Sequence, residues 1–160
     1  MVLHGHTDHV YSIAFTPNSR LLLSSSEDKT LRVWDVESGQ CVRVIQNYAV
    51  ALYDIAWSPD GCQLASAGSD LLVTIWDVVA RTPPRVLRGH SWTVYGVAWS
   101  PDDRLLASCG RDDTVRLWDA STGACLRLLL DPDALDTFLY GIAWSPDGKF
   151  LASGSYQRGV

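Results

Sequence analysis

Three residues near the amino terminus have the side chains that nucleophilic catalysis requires. His6, Ser24 and Asp28 precede Trp34, and a hydrolase triad uses a histidine to activate a serine and an acid to orient the histidine. The same four residue types recur at matching intervals further along the chain, at His90, Ser108, Asp112 and Trp118. A catalytic site is required once, whereas a structural device is required in every repeat. The recurrence therefore favours a structural role over catalysis.

No other pattern in the sequence predicts an enzyme, a metal site or a cofactor. The three histidines among the first nine residues include His6, which the first quartet already uses. The three aspartates of residues 131–136 lack the spacing and the distal glutamate of a calcium loop. Gly148-Lys149 is not a phosphate loop, because Ala143 stands where the first glycine is required. We therefore expect no catalytic residues, no metal and no cofactor.

The chain repeats itself with a period of 42 residues. Trp-Asp pairs begin at Trp34, Trp76 and Trp118, and proline turns recur at the same period before an insertion of about three residues precedes the fourth turn. Each period contains four short stretches rich in β-forming residues, separated by turn residues such as Ser58-Pro59-Asp60-Gly61. Helical periodicity is absent. The sequence thus predicts an all-β protein with four antiparallel strands in each repeat.

These repeats together resemble the WD-repeat family over nearly the whole chain. The resemblance is carried by the period, the Trp-Asp pairs, the polar turns and the Gly-His pairs at Gly5-His6 and Gly89-His90. It implies a β-propeller, in which four-stranded antiparallel blades stack radially because a single sheet leaves two faces to be covered. We expect half of a ring of about seven or eight blades.

The resemblance also assigns boundaries to a partial propeller spanning residues 1–160. Complete blades are expected at about 10–46, 52–88 and 94–130, with an incomplete fourth blade at 139–160 and residues 1–4 as a leftover outer strand. Unpaired sheet edges favour association with another chain. Two explanations stay open: a fragment of a longer propeller protein, or two copies that self-associate to close one ring.

The resemblance gives the quartets a structural role. In this family the matching Asp, His, Ser and Trp positions form a hydrogen-bonded network that satisfies the buried indole N–H. The second repeat keeps Ser66, Asp70 and Trp76 but has Tyr48 in place of histidine, and the fourth repeat has Gln157 in place of aspartate. We expect the second and fourth blades to be held less firmly than the first and third.

The resemblance further implies that partners bind at one rim of the propeller, usually called the top face. Three positions in each repeat recur in such sites, and one of them is tyrosine in all four repeats. The predicted residues are Tyr11, Tyr53, Tyr95 and Tyr140, then His9 and Phe138 two positions earlier, then Glu27, Arg111 and Tyr156 at the position just before the network aspartate or its replacement. The tyrosines fit either a ligand surface or blade packing. Glu27, Arg111 and Tyr156 differ between repeats and are better candidates for selectivity.

We therefore predict a non-enzymatic scaffold that binds peptides or protein partners on the top face. There are two alternatives. The chain could be a regulatory or sensor segment of a larger bacterial signalling protein with an ATPase or kinase. It could also be an engineered or reconstructed self-assembling propeller half. The net charge of −5 weighs against a nucleic-acid partner, and no apolar run approaches the length of a membrane span. Four cysteines without a CxxC pair predict a reducing, cytoplasmic location.

Overall fold

The computed structural model describes residues 1–45, 50–80, 82–130 and 137–157, and the described residues form four antiparallel sheets. We call these sheets blades 1 to 4. Blade 1 contains β1 (Val10–Phe15), β2 (Leu21–Ser26), β3 (Leu31–Asp35) and β4 (Cys41–Ile45). Blade 2 contains β5 (Leu52–Trp57), β6 (Gln63–Gly68), β7 (Leu72–Asp77) and β8 (Arg85–Arg88). Blade 3 contains β9 (Val94–Trp99), β10 (Leu105–Gly110), β11 (Thr114–Asp119) and β12 (Cys125–Leu130), and blade 4 contains β13 (Thr137–Trp144) and β14 (Leu151–Gln157).

The register within each blade follows the sequence repeat. Each strand pairs with its neighbours along the chain, and the tryptophan of the Trp-Asp pair lies opposite a leucine of the preceding strand. In blade 3 this pair is Leu106 and Trp118, which are 0% and 1% exposed. Repeating one register in three blades directs equivalent side chains into equivalent cores.

Tight turns of the predicted kind connect the first two strands of each blade. In blade 2 the amide of Gly61 donates to the carbonyl oxygen of Ser58 at 2.9 Å, and Gly61 has a φ of +72°. Glycine adopts this left-handed conformation without steric cost. Ser19 and Asp103 occupy the same place in blades 1 and 3 and also have positive φ, so the turn geometry persists where the glycine is absent.

The blades pack through their first strands. Strand β1 contacts β5, β5 contacts β9, and β9 contacts β13. Two clusters of buried apolar side chains fill the first two junctions: one includes Leu23, Leu52 and Ile55, and the other includes Ala65, Val97 and many neighbours. Burial of apolar area between sheets is therefore what holds one blade on the next.

Indole groups add hydrogen bonds across these junctions. Trp99 Nε1 donates to the carbonyl oxygen of Ala56 at 3.0 Å, and Trp144 Nε1 donates to that of Ala98 at 3.2 Å. Trp57 occupies the same position in blade 2, where its buried Nε1 has no hydrogen-bond partner among the described residues. Two of the three junctions therefore contain the same indole-to-carbonyl bond.

The all-β propeller fold predicted from the repeats is confirmed, with two differences at its ends. Residues 1–4 form no strand within this single chain, because a strand requires a hydrogen-bonded partner and no described strand of the chain pairs with them. The side chain of Met1 lies against Gly39 instead. Blade 4 begins at Thr137 rather than at position 139.

The three aspartates of residues 131–136 and Tyr48 lie outside the described residues. No helix of the described part is long and apolar enough to cross a membrane.

Candidate functional site

The second quartet forms a continuous chain of hydrogen bonds through blade 3. Trp118 Nε1 donates to Ser108 Oγ at 2.8 Å, Ser108 Oγ lies 2.7 Å from His90 Nε2, and His90 Nδ1 lies 2.9 Å from Asp112 Oδ2. A histidine protonated at Nδ1 donates to the carboxylate and accepts the serine proton at Nε2. Each buried polar group of this quartet therefore has a hydrogen-bond partner.

This arrangement does not support nucleophilic catalysis. Ser108 is fully buried, and its Oγ is bonded to both the indole and the imidazole. A nucleophile needs a free approach to the carbonyl carbon that it attacks. Ser108 lacks that approach, so the quartet acts as a clamp between strands.

The same clamp occurs in blade 1. Trp34 Nε1 donates to Ser24 Oγ at 2.8 Å, Ser24 Oγ lies 2.6 Å from His6 Nε2, and His6 Nδ1 lies 2.8 Å from Asp28. Burial alone would raise the pKa of Asp28, but hydrogen bonds from Thr30, His6 and the amide of Thr7 outweigh it and hold the pKa well below the usual range. Asp28 therefore remains ionised and fixes the imidazole.

The clamp is reduced in blade 2. Trp76 Nε1 donates to Ser66 Oγ at the longer distance of 3.2 Å, and Asp70 accepts from the amide of Leu72 at 3.2 Å. The histidine position is Tyr48, which lies outside the described residues. In blade 4, Ser153 is exposed and the side chain of Gln157 is outside the described part.

The sequence analysis did not predict one member of the clamp, a threonine that bonds to the aspartate. Thr114 Oγ1 donates to Asp112 Oδ1 at 2.8 Å, and Thr30 Oγ1 makes the same bond to Asp28 at 2.6 Å. The available signal was a threonine two residues after the aspartate in both repeats. This threonine donates one further hydrogen bond to each carboxylate.

The four predicted tyrosines form one aromatic row across all four blades. Ring centroids are 4.8 Å apart for Tyr11 and Tyr53, 5.2 Å for Tyr53 and Tyr95, and 4.6 Å for Tyr95 and Tyr140. We call these four residues the tyrosine row. Tyr11 and Tyr140 are 42% and 50% exposed. A single position of the repeat is thus converted by blade stacking into a continuous, partly exposed surface.

The blade 1 end of the tyrosine row is acidic. The hydroxyl of Tyr11 donates to Glu27 Oε2 at 2.7 Å, which together with burial raises the pKa of Tyr11 to about 12. His9 Nδ1 lies 2.9 Å from Asp8 and 3.4 Å from Glu27. The ligand atoms of Asp8, His9 and Glu27 lie within 4.8 Å of one another. These side chains are all well exposed, and the hydrogen bond between His9 and Asp8 together with the contact between His9 and Glu27 accounts for the grouping without an ion.

The opposite end of the tyrosine row holds a stacked arginine. The Arg111 guanidinium lies 4.8 Å from the ring centroid of Trp92 and 5.0 Å from that of Phe138. Tyr156 pairs with Phe138 across blade 4 and is 60% exposed. Trp92 was not among the predicted residues, because the repeat positions used for prediction skip it. Its signal was an exposed tryptophan directly after the Gly-His-Ser segment of blade 3.

Comparison with known proteins agrees with this architecture. Four-stranded blades that repeat one clamp and stack through their first strands define a β-propeller repeat protein. The family model described as WD domain, G-beta repeat matches residues 1–35, 39–77, 81–119 and 125–160. The chain belongs to the WD-repeat family.

Individual relatives match over limited lengths. The ribosome biogenesis protein BOP1 homolog of Drosophila erecta is 44% identical, and that of Drosophila persimilis 41% identical, over 46 residues that make up 29% of this chain and 6% of each relative. The structure of U3-55K and the crystal structure of RRP9 WD40 repeats each match with a TM-score of 0.81 and 24% identity. They cover 89% of this chain, which spans 45% and 44% of those chains, and they show the fold alone.

Proposed function

We propose that the tyrosine row and the residues at its two ends bind an extended segment of a protein partner. The observation that carries this proposal is the continuity of the row. Four partly exposed rings contact one another in sequence across four blades. Tyrosine supplies a large, rigid contact surface with few rotatable bonds. A row of such rings on packed strands loses little conformational freedom when a ligand covers it.

Packing alone accounts less well for the row. A residue kept only to fill a core is expected to be buried, as Ile55 and Val97 are at 4% exposure on the same strands. Tyr53 and Tyr95, on these two strands, are instead partly exposed. Partial exposure at one repeat position in blade after blade supports a contact surface.

Substitutions of the central rings test the proposal. Peptides selected from a displayed random library on the wild-type chain are expected to bind Y53A and Y95A about tenfold more weakly or worse, because central aromatic anchors carry most of the binding free energy. Leu128 lies exposed on outer strand β12, so L128A is the matched control. Unchanged binding by both tyrosine variants, with circular dichroism showing intact sheet, would exclude the row as the binding surface.

We keep the prediction that this partner is a protein and not a nucleic acid. The names of the BOP1 relatives place those proteins in ribosome biogenesis, where RNA is abundant. On this chain, however, the ends of the row carry the two carboxylates of Asp8 and Glu27 against the single guanidinium of Arg111. Binding to RNA rises steeply as salt is lowered, so a gel-shift series with single-stranded RNA at decreasing salt tests the prediction.

We also propose that the open face of blade 1 pairs with another blade. Ile13 and Phe15 are 61% and 55% exposed there, whereas Val97 and Trp99, their counterparts in blade 3, are 4% and 7% exposed under a neighbouring blade. A second copy of the chain is the simplest occupant. Light scattering on a dilution series tests this: a species of twice 17.6 kDa that I13E reduces to a monomer supports pairing, and a monomeric wild type at every concentration contradicts self-association.

A further inference from the structure

We propose that the tyrosine row selects the direction of its ligand, with an acidic side chain at Arg111 and a basic side chain at Glu27. This inference rests on the proposed function and adds the chemistry of the ligand to it. The two ends of the row differ in charge, and each end offers groups that an oppositely charged side chain can satisfy.

Two aromatic rings lie against the Arg111 guanidinium. Trp92 and Phe138 lie on the guanidinium at 4.8 and 5.0 Å. No carboxylate of the described residues lies within ion-pair distance of it. The planar fork of N–H donors on a guanidinium matches the two oxygens of a carboxylate. Stacking also removes part of the entropy that a free arginine would lose on binding.

Glu27 and Asp8 give the other end the opposite charge. Their side chains are 45% and 47% exposed, and they flank His9, which is 80% exposed. The Tyr11 hydroxyl occupies one acceptor site of Glu27. An ionised carboxylate has further acceptor sites, so Glu27 can still accept from a lysine or arginine of the ligand.

The distance between the ends suits a short extended segment. The two ring steps of 4.8 and 5.2 Å place Tyr11 within about 10 Å of Tyr95. About three residues of extended peptide cross that distance at ~3.3 Å per residue. Arg111 lies just beyond, over Phe138. The expected ligand therefore has its basic and acidic side chains about three to five residues apart, with side chains that contact the tyrosines between them.

Parallel selections with charge-reversed chains test the proposal. A displayed random peptide library is selected on wild type, R111E, E27K and the control R127E, whose arginine is exposed on β12. The wild type and R127E are expected to enrich one acidic and one basic position in a single chain direction. R111E is expected to lose the acidic position and E27K the basic one, and each wild-type peptide is expected to bind its reversed variant about tenfold more weakly.

The outcomes separate this inference from the function on which it rests. Enrichment that depends on Tyr95 but has the same charge pattern on wild type and R111E overturns the directional proposal alone. Enrichment that is unchanged by Y95A, or no enrichment on the wild type, overturns the proposed function and this inference with it. Loss of the acidic position on R111E with no effect of E27K overturns the two-ended assignment, because the acidic end at Glu27 would then have no role.

Discussion

The backbone amide of Val97 donates a hydrogen bond to the carboxylate of Asp54, 2.9 Å away on the preceding blade. The other oxygen of Asp54 accepts from Ser12 Oγ at 2.7 Å and from the amide of Ile55 at 2.9 Å. One side chain therefore joins blades 1, 2 and 3. Burial raises the pKa of Asp54 in spite of these three bonds.

Replacing Asp54 by alanine should loosen both junctions. The change leaves Ser12 Oγ and the amide of Val97 without this acceptor, and a buried donor without a partner costs about 1 to 3 kcal/mol. We expect D54A to lower the free energy of unfolding by about 2 kcal/mol in urea titrations. Glu37 is exposed in a turn of blade 1, so E37A should leave the midpoint unchanged. Equal midpoints for D54A and E37A would show that Asp54 does not join the blades.

The clamps should contribute unequally to stability. Ser108 bonds to both Trp118 and His90, while Ser66 accepts from Trp76 at a longer distance. We expect S108A to lower the free energy of unfolding by about 2 kcal/mol or more and S66A by about 1 kcal/mol. Hydrogen exchange should be slower in blade 3 than in blade 2. Equal exchange in both blades would contradict the ranking.

Acid should remove the contribution of the Asp112 clamp. Burial alone would raise the pKa of Asp112, but hydrogen bonds from His90 and Ser91 outweigh it and lower the pKa to about 2. A pKa that is lower in the folded chain stabilises the fold above the ordinary aspartate pKa, and this stabilisation is lost as the pH falls from about 4 towards 2. The urea midpoint of wild type should therefore fall more between pH 7 and pH 3 than that of D112N. Parallel losses in the two proteins would argue against this assignment.

The Tyr11 hydroxyl reports directly on the acidic end of the tyrosine row. Its hydrogen bond to Glu27 is the main cause of its pKa of about 12. Removing the carboxylate charge in E27Q should lower this pKa towards the ordinary value near 10, because ionisation would no longer place two negative charges together. Tyrosinate absorbance during an alkaline titration measures the shift, with Y11F identifying the signal. An identical titration of wild type and E27Q would mean that the bond is absent in solution.

The parts that the sequence predicts are those that repeat at the period of the blade. The strands, the turn at Gly61 and the clamp around Trp118 depend on residues within one repeat, so the same spacing in several copies is enough to locate them. Contacts between blades are different in kind. Asp54 occurs at this position in one repeat only. The contacts of Arg111 with Trp92 and Phe138 require that two loops of blade 3 meet a strand of blade 4. Sequence spacing carries no information about such meetings.

The indole bonds give two of the three junctions between blades a direction. Trp99 donates backwards to Ala56, and Trp144 donates backwards to Ala98, so one face of a blade supplies protons and the opposite face supplies oxygens. Two blades brought together by like faces would oppose donor to donor or acceptor to acceptor. Packing of like faces is therefore unfavourable, whereas head-to-tail addition extends the array until its curvature closes it. A blade added beside Ala143 continues the series only if it brings an indole in that orientation.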